Sequence, residues 1–195
     1  MQRPAPARAL DDTGFTLIQL LLVVALMATM LGITLGGFNS ALETVRGDAS
    51  MNIVQWQLKL AREAAINQRR SIEIRFTMPN FINVVRRRIP YNNVNDVDSI
   101  STAVLQNQTQ FFVFTSPSMP DTPDGFGKTT ALSFNGAAAV MFNADGQFTD
   151  GGGNLLNASI FTGKPTSRMT ARALTVFGPT STIRTWRWNG SAWRH

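Results

Sequence analysis

The stretch GFTLIQLLLVV, Gly14 to Val24, decides how the N-terminal part of this chain is read. One amide, Gln19, interrupts a nearly unbroken apolar run, and no charge appears between Phe15 and Leu35. Twenty-one helical residues at about 1.5 Å of rise span roughly 31 Å, the hydrocarbon thickness of a bilayer. The run therefore predicts a membrane-spanning helix over 15–35, with lipid as its surroundings. The preceding MQRPAPARALDDTG is short, polar and proline-containing, with nothing that folds by itself. A discarded secretory signal would need a small-residue cleavage site, which GGFNSA at 36–41 offers only loosely.

The residues from Leu42 onward argue for a retained helix. Leu42, Val45, Ala49, Ile53, Trp56, Leu60 and Ala64 recur at steps of three and four, widened by Val54, Leu58, Ala61 and Ala65. The pattern predicts an amphipathic helix to about Asn67, with Gly36 and Gly37 as a bend between its halves. Such a half-apolar rod needs a domain to pack on.

That domain reads as β-rich. Ile72, Ile74 and Phe76 alternate with Glu73 and Arg75. Further predicted strands are 81–85, 110–115, 131–134, 138–143, 159–161, 171–177 and 182–188. Turn signals such as MPN, PSMPDTPDGFG, NG, ADG and GGG separate most of them. The polar segment 90–108 reads as a long surface loop holding at most one weak strand. The fold class expected is α+β, a long N-terminal helix (membrane-spanning half plus amphipathic half) on an antiparallel β-sheet domain. The divisions are 1–14, 15–35, 36–69 and 70–195.

The 195 residues carry a net charge of +6, unevenly spread. Eight basic residues lie from Lys59 to Arg88 against only Glu63 and Glu73, and six from Lys164 onward face no acid. A polyanion partner and a merely basic surface are both compatible with this. In TIRTWRWNGSAWRH, Arg184, Arg187 and Arg194 interleave with Trp186, Trp188 and Trp193. Together with the triplet Arg86, Arg87 and Arg88, they are the candidate DNA-binding residues. Strand alternation, however, sends Trp186 and Trp188 to one face and Arg187 to the other.

No cysteine is present, and the single histidine is the terminal His195, so neither disulfides nor a histidine base is expected. Asp145, Gly146 and Asp150 lack the donor run of a calcium loop, and a plain turn explains NADG better. No catalytic residue, metal or cofactor is expected, and the chain reads as a non-enzyme.

The opening stretch also resembles a known signal. GFTLIQLLLVVALMATMLGI is similar to the prepilin signal of type IV pilins and type II secretion pseudopilins. AAAVMFNADGQF, with Phe142 and Gly146, and RALTVFGPTSTIRTWRW resemble the hairpin and last strands of H-type pseudopilins and FimT/FimU-like minor pilins. Members often carry Thr-Gly-Arg where this chain has PTSTIR. The resemblance implies a pilin-like fold and cleavage between Gly14 and Phe15 by a prepilin peptidase, with N-methylation of Phe15. It implies an assembly surface of Phe15, Thr16, Leu17, Ile18, Gln19 and Leu20. The partners implied are other pilins or pseudopilins in a helical filament and an inner-membrane assembly platform.

The function it implies is a minor pseudopilin of a type II secretion pseudopilus, assembling through its helix after leader cleavage. The competing readings are a minor type IV pilin that binds DNA for uptake and a lone membrane-anchored periplasmic domain. The location implied is the bacterial inner membrane, single-pass, with the C-terminal domain in the periplasm. Gln19 stands where members usually carry glutamate, which points to a subunit whose docking does not use the usual salt bridge.

Overall fold

A computed structural model describes residues 16–89, 92, 93 and 95–195, without the side chains of 33–40. One helix, α1 (Leu17–Gln68), precedes eleven strands. They are β1 (Ile72–Thr77), β2 (Phe81–Arg87), β3 (Val97–Val104), β4 (Gln110–Phe111), β5 (Leu132–Ser133) and β6 (Val140–Phe142). Then come β7 (Phe148–Asp150), β8 (Ala158–Lys164), β9 (Ser167–Phe177), β10 (Thr182–Trp188) and β11 (Trp193–Arg194). The chain divides into two compact units, Met1–Asn39 and Ser40–His195.

In the first unit the helix opens with a reciprocal cap. Thr16 N–H donates to Gln19 Oε1 at 3.0 Å, and Gln19 N–H faces Thr16 Oγ1 at 3.4 Å. This is a capping box, which satisfies two of the donors a helix start leaves without partners. The large apolar side chains from Leu17 to Leu31 are exposed, Leu17 at 82%.

Among the described residues no helix is long and apolar enough to cross a membrane. This corrects the expected membrane-spanning half and the pilin-like fold class that required it. It equally corrects the single-pass inner-membrane location, the pseudopilus-subunit function in type II secretion and its DNA-uptake alternative. What stands is an α+β chain with antiparallel sheets. The leader 1–14 and Phe15 lie outside the described residues, and the bend at Gly36 and Gly37 falls where side chains are not described.

In the second unit α1 from Ser40 onward is shared by two sheets. The first has the order β3-β2-β1-β6-β7, and the second β11-β10-β9-β8-β4, with β5 also on β8. All pairings are antiparallel. Val54, Leu58, Ala61 and Ala65 of the helix form one core with Ile72, Ile74, Ile82 and Val84 of the first sheet. The same core takes in Ile160, Leu174 and Val176 of the second sheet. Val45 and Trp56 of the expected stripe instead face outward, Trp56 at 57% exposure. The buried line runs through Gly47, Ser50 and Gln57, whose smallness or polarity hides them from a hydropathy pattern. A Cβ on Gly47 would lie 2.6 Å from Thr170 O, so this glycine sets how closely helix and β9 approach.

Two local expectations gain a physical reason. In the β6–β7 hairpin, Phe142 and Phe148 are buried with ring centroids 5.1 Å apart. Gly146 takes φ +76°, and its carbonyl accepts Arg62 Nε at 3.2 Å, so the turn docks on the helix. In the β9–β10 turn, Ser181 is buried and takes φ +53°, filling a left-handed position that favours glycine. The segment read as a loop with at most one weak strand holds β3, a full strand of eight residues paired to β2. Its half-exposed Ser, Thr and Asp residues concealed it, because an edge strand has less apolar surface to bury.

Candidate binding groove and the arginine pairs

Alternation along β1 sorts its side chains. Ile72 and Ile74 enter the core, whereas Glu73 and Arg75 project from the opposite face. Val85 is the register partner of Glu73 on β2, so Arg87, two residues on, reaches the same carboxylate. Arg75 Nε donates to Glu73 Oε1 at 2.8 Å and Arg87 Nε to Oε2 at 2.8 Å. Burial is the largest single influence on the Glu73 carboxyl and pushes it up, but the two guanidinium groups together outweigh it. They hold Glu73 below the usual carboxylate range, ionised although buried.

Arg86 and Arg88 lie on the alternate face and share Asp98 of β3. Arg86 Nη2 donates to Oδ2 at 3.0 Å and Arg88 Nε to Oδ1 at 2.8 Å. Hydrogen bonds from Arg88 and then Arg86 lower the Asp98 carboxyl. The triplet is therefore split between two carboxylates on two faces.

The C-terminal arginines are divided in the same way. Arg184 Nη1 donates to Asp124 Oδ1 at 2.6 Å. Arg187 points to the helix side and pairs with Asp48. There it meets the buried Arg172, whose Nε donates to Asp48 Oδ1 at 2.6 Å and whose Nη2 donates to Thr44 O at 2.9 Å. Arg194, the register partner of Arg187, is exposed and meets no acidic partner among the described residues. The tryptophans pack into a second core with Phe114, Met119 and Phe161. Trp193 Nε1 donates to Pro120 O at 2.9 Å and Trp186 Nε1 to Thr175 Oγ1 at 3.1 Å. Trp188 and Trp193 are buried, so neither offers an open face for a base. The six candidate arginines are not gathered on one surface.

What the structure does gather is a groove where β1 and β6 part. β1 pairs with β2 along its length, Ile72 to Thr77, but with β6 only from Ile72 to Ile74. Past that point Arg75, Phe76 and Thr77 border a space of about 460 Å³, walled by Leu132, Phe134 and Ala138. Glu73 and Arg87 also line it. Phe76 is held by Phe134 and Phe111, with ring centroids at 5.4 and 5.5 Å. No motif announces this groove, since it depends on where two strands distant in sequence stop pairing.

The remaining sequence candidates have local explanations. Asp145 N–H donates to Asn143 Oδ1, a turn contact. Asp150 accepts from Gly152 N–H, Asn154 N–H and Asn154 Nδ2. The Asn154 side chain leads the lowering of its carboxyl. No group of three metal-ligating side chains is found among the described residues. Gly14 and Phe15 lie outside the description, while Thr16 and Gln19 form the cap and Leu17, Ile18 and Leu20 are exposed. Comparison with protein-family models, with characterised proteins and with solved structures finds no match.

Proposed function

We propose that this chain is a binding protein rather than a catalyst, and that its Ser40–His195 unit takes an extended segment of a partner polypeptide between β1 and β6. The shortened ladder carries the reading: Arg75 to Thr77 have a neighbour strand on the β2 side only. An open ladder offers backbone groups to an added strand. Three residues give about 10 Å of pairing. Phe76, Leu132 and Phe134 add apolar walls.

The test is selection of peptides from a randomised library on the full chain, repeated with Ala138→Trp. Ala138 is an exposed wall residue, so the indole fills the groove without entering the core. Extended peptides retained by the original and released by the variant support the reading. Equal retention by both, or none by either, defeats it.

Residues 14–20 support a further, separate proposal: kinship with the pilin superfamily and cleavage between Gly14 and Phe15 by a prepilin-type peptidase. Intact-mass measurement after expression with such a peptidase decides it. Loss of residues 1–14 with a methyl added supports cleavage, and the full-length mass refutes it.

A further inference from the structure

On the face of the second sheet turned away from α1, the segment 112–130 covers β9 and β10 only in part. Between Asp124 and Phe126 of that segment and Thr175, Phe177, Thr182 and Arg184 of the two strands lies a second cleft of about 460 Å³. Its size falls within the roughly 300–1,000 Å³ typical of small-molecule sites. We infer that this cleft is a binding site for a neutral sugar, one pyranose ring or a disaccharide.

Three observations carry the chemistry. The first is an ordered polar chain: Trp186 Nε1 donates to Thr175 Oγ1 at 3.1 Å, and Thr175 Oγ1 donates to Asp124 Oδ2 at 2.5 Å. Arg184 Nη1 donates to Asp124 Oδ1 at 2.6 Å. Thr175 is buried, so Asp124 is fixed from below before any ligand arrives. The second is spare capacity. The other N–H groups of Arg184 meet no partner among the described residues, and each Asp124 oxygen keeps a lone pair. A planar donor fork beside a carboxylate is the complement of a vicinal diol, whose hydroxyls both donate and accept. The third is the wall: Phe126 and Phe177 stack with centroids 6.3 Å apart at 20°, and Phe177 is 42% exposed. A flat apolar ring beside polar groups suits a pyranose, which has an apolar C–H face and a polar rim.

Charge selects against the alternatives. Arg184 and Asp124 cancel, so neither a phosphate nor an ammonium ligand meets a net opposite charge. Thr180 and Thr182, whose hydroxyls lie 2.7 Å apart at the rim, add groups suited to a neutral polyol.

The full chain is titrated with maltose, with N,N′-diacetylchitobiose and with inorganic phosphate, reading tryptophan fluorescence, to which Trp186 contributes through Thr175. Saturable binding of at least one sugar is expected, weakened at least about tenfold by Phe177→Ala. Arg184→Lys keeps a cation beside Asp124 but loses the planar fork, and is expected to weaken binding similarly without removing a ring. Absence of saturation by both sugars overturns the inference. So does sugar binding indifferent to both substitutions, or displacement of the sugar by phosphate.

Discussion

Gln19 changes meaning once its contacts are seen. Read from sequence it is a missing negative charge, to be judged by what a neighbouring chain would lose. In the structure it closes a capping box with Thr16 inside its own chain. Thr16-x-x-Gln19 was legible as a cap by spacing alone, and the apolar run around it masked that signal. Glutamate serves the same position, so Gln19→Glu should preserve the helix start. Gln19→Leu or Thr16→Val should cost about 1 kcal/mol, seen as faster amide exchange confined to the first turn. Ser181 is a second residue whose role depends on conformation. With φ at +53°, a β-branched side chain is the worst fit. Ser181→Val should destabilise by more than about 1 kcal/mol, and Ser181→Gly should be near neutral, measured by urea unfolding.

Between elements, the helix is locked to the second sheet by a charge cluster that no motif marks. Arg172 is fully buried and depends on Asp48, which also holds Arg187. Burial is the largest single influence on the Asp48 carboxyl and raises it, but the two arginines acting together bring it below its ordinary value. The folded state thus binds this proton more weakly than the unfolded chain. The stabilisation is present above the unfolded pKa of about 3.9 and is lost as pH falls through the lower folded value. Thermal unfolding followed from neutral pH to below the carboxylate range should show this loss in the original chain. It should be much reduced in Asp48→Ala, which removes one partner of a buried pair and should cost about 3 kcal/mol at neutral pH. Recovery of stability on adding Arg172→Met would confirm that the stranded guanidinium is the cause. Helix register is likewise settled by packing between elements. Of the apolar stripe, Val54, Leu58, Ala61 and Ala65 reach the core while Val45 and Trp56 face outward, and Gly47, Ser50 and Gln57 are buried where a sheet approaches closely.

For the molecule as a whole, the charge count misleads unless geometry is added. The net charge is +6, yet Glu43, Asp48, Glu73 and Asp98 each hold two cations. A shared carboxylate offsets only one of the two charges it holds, but it pins both side chains in place, so these basic residues are spread over separate faces rather than gathered on one. Of the six arginines singled out from sequence, only Arg194 has no acidic partner among the described residues. The six should therefore not act as one phosphate-binding surface, and replacing all of them by alanine should flatten the log–log salt slope for duplex DNA by far less than the roughly 5 that six phosphate contacts would give. Arg194→Ala alone should account for most of that change in a fluorescence titration. A flattening of about 5 on replacing the six would show that the carboxylate pairs open to receive phosphate.

The sequence by itself determined the existence of the helix, the β-rich domain behind it, and the alternation placing Trp186 and Trp188 opposite Arg187. Each is a short-range consequence of periodicity, which a chain carries in its own order. Only the tertiary structure decided which helix face is buried, which arginine finds which carboxylate, and where β1 stops pairing with β6. Asp48 and Arg172 are joined across 124 positions of chain. Arg184 meets Asp124 across 60. No local pattern encodes a contact of that reach, because it exists only when distant segments of the chain have packed together. The apolar run that begins at Phe15 meets the same limit: hydropathy says that it must be covered, and its cover is not written in the run.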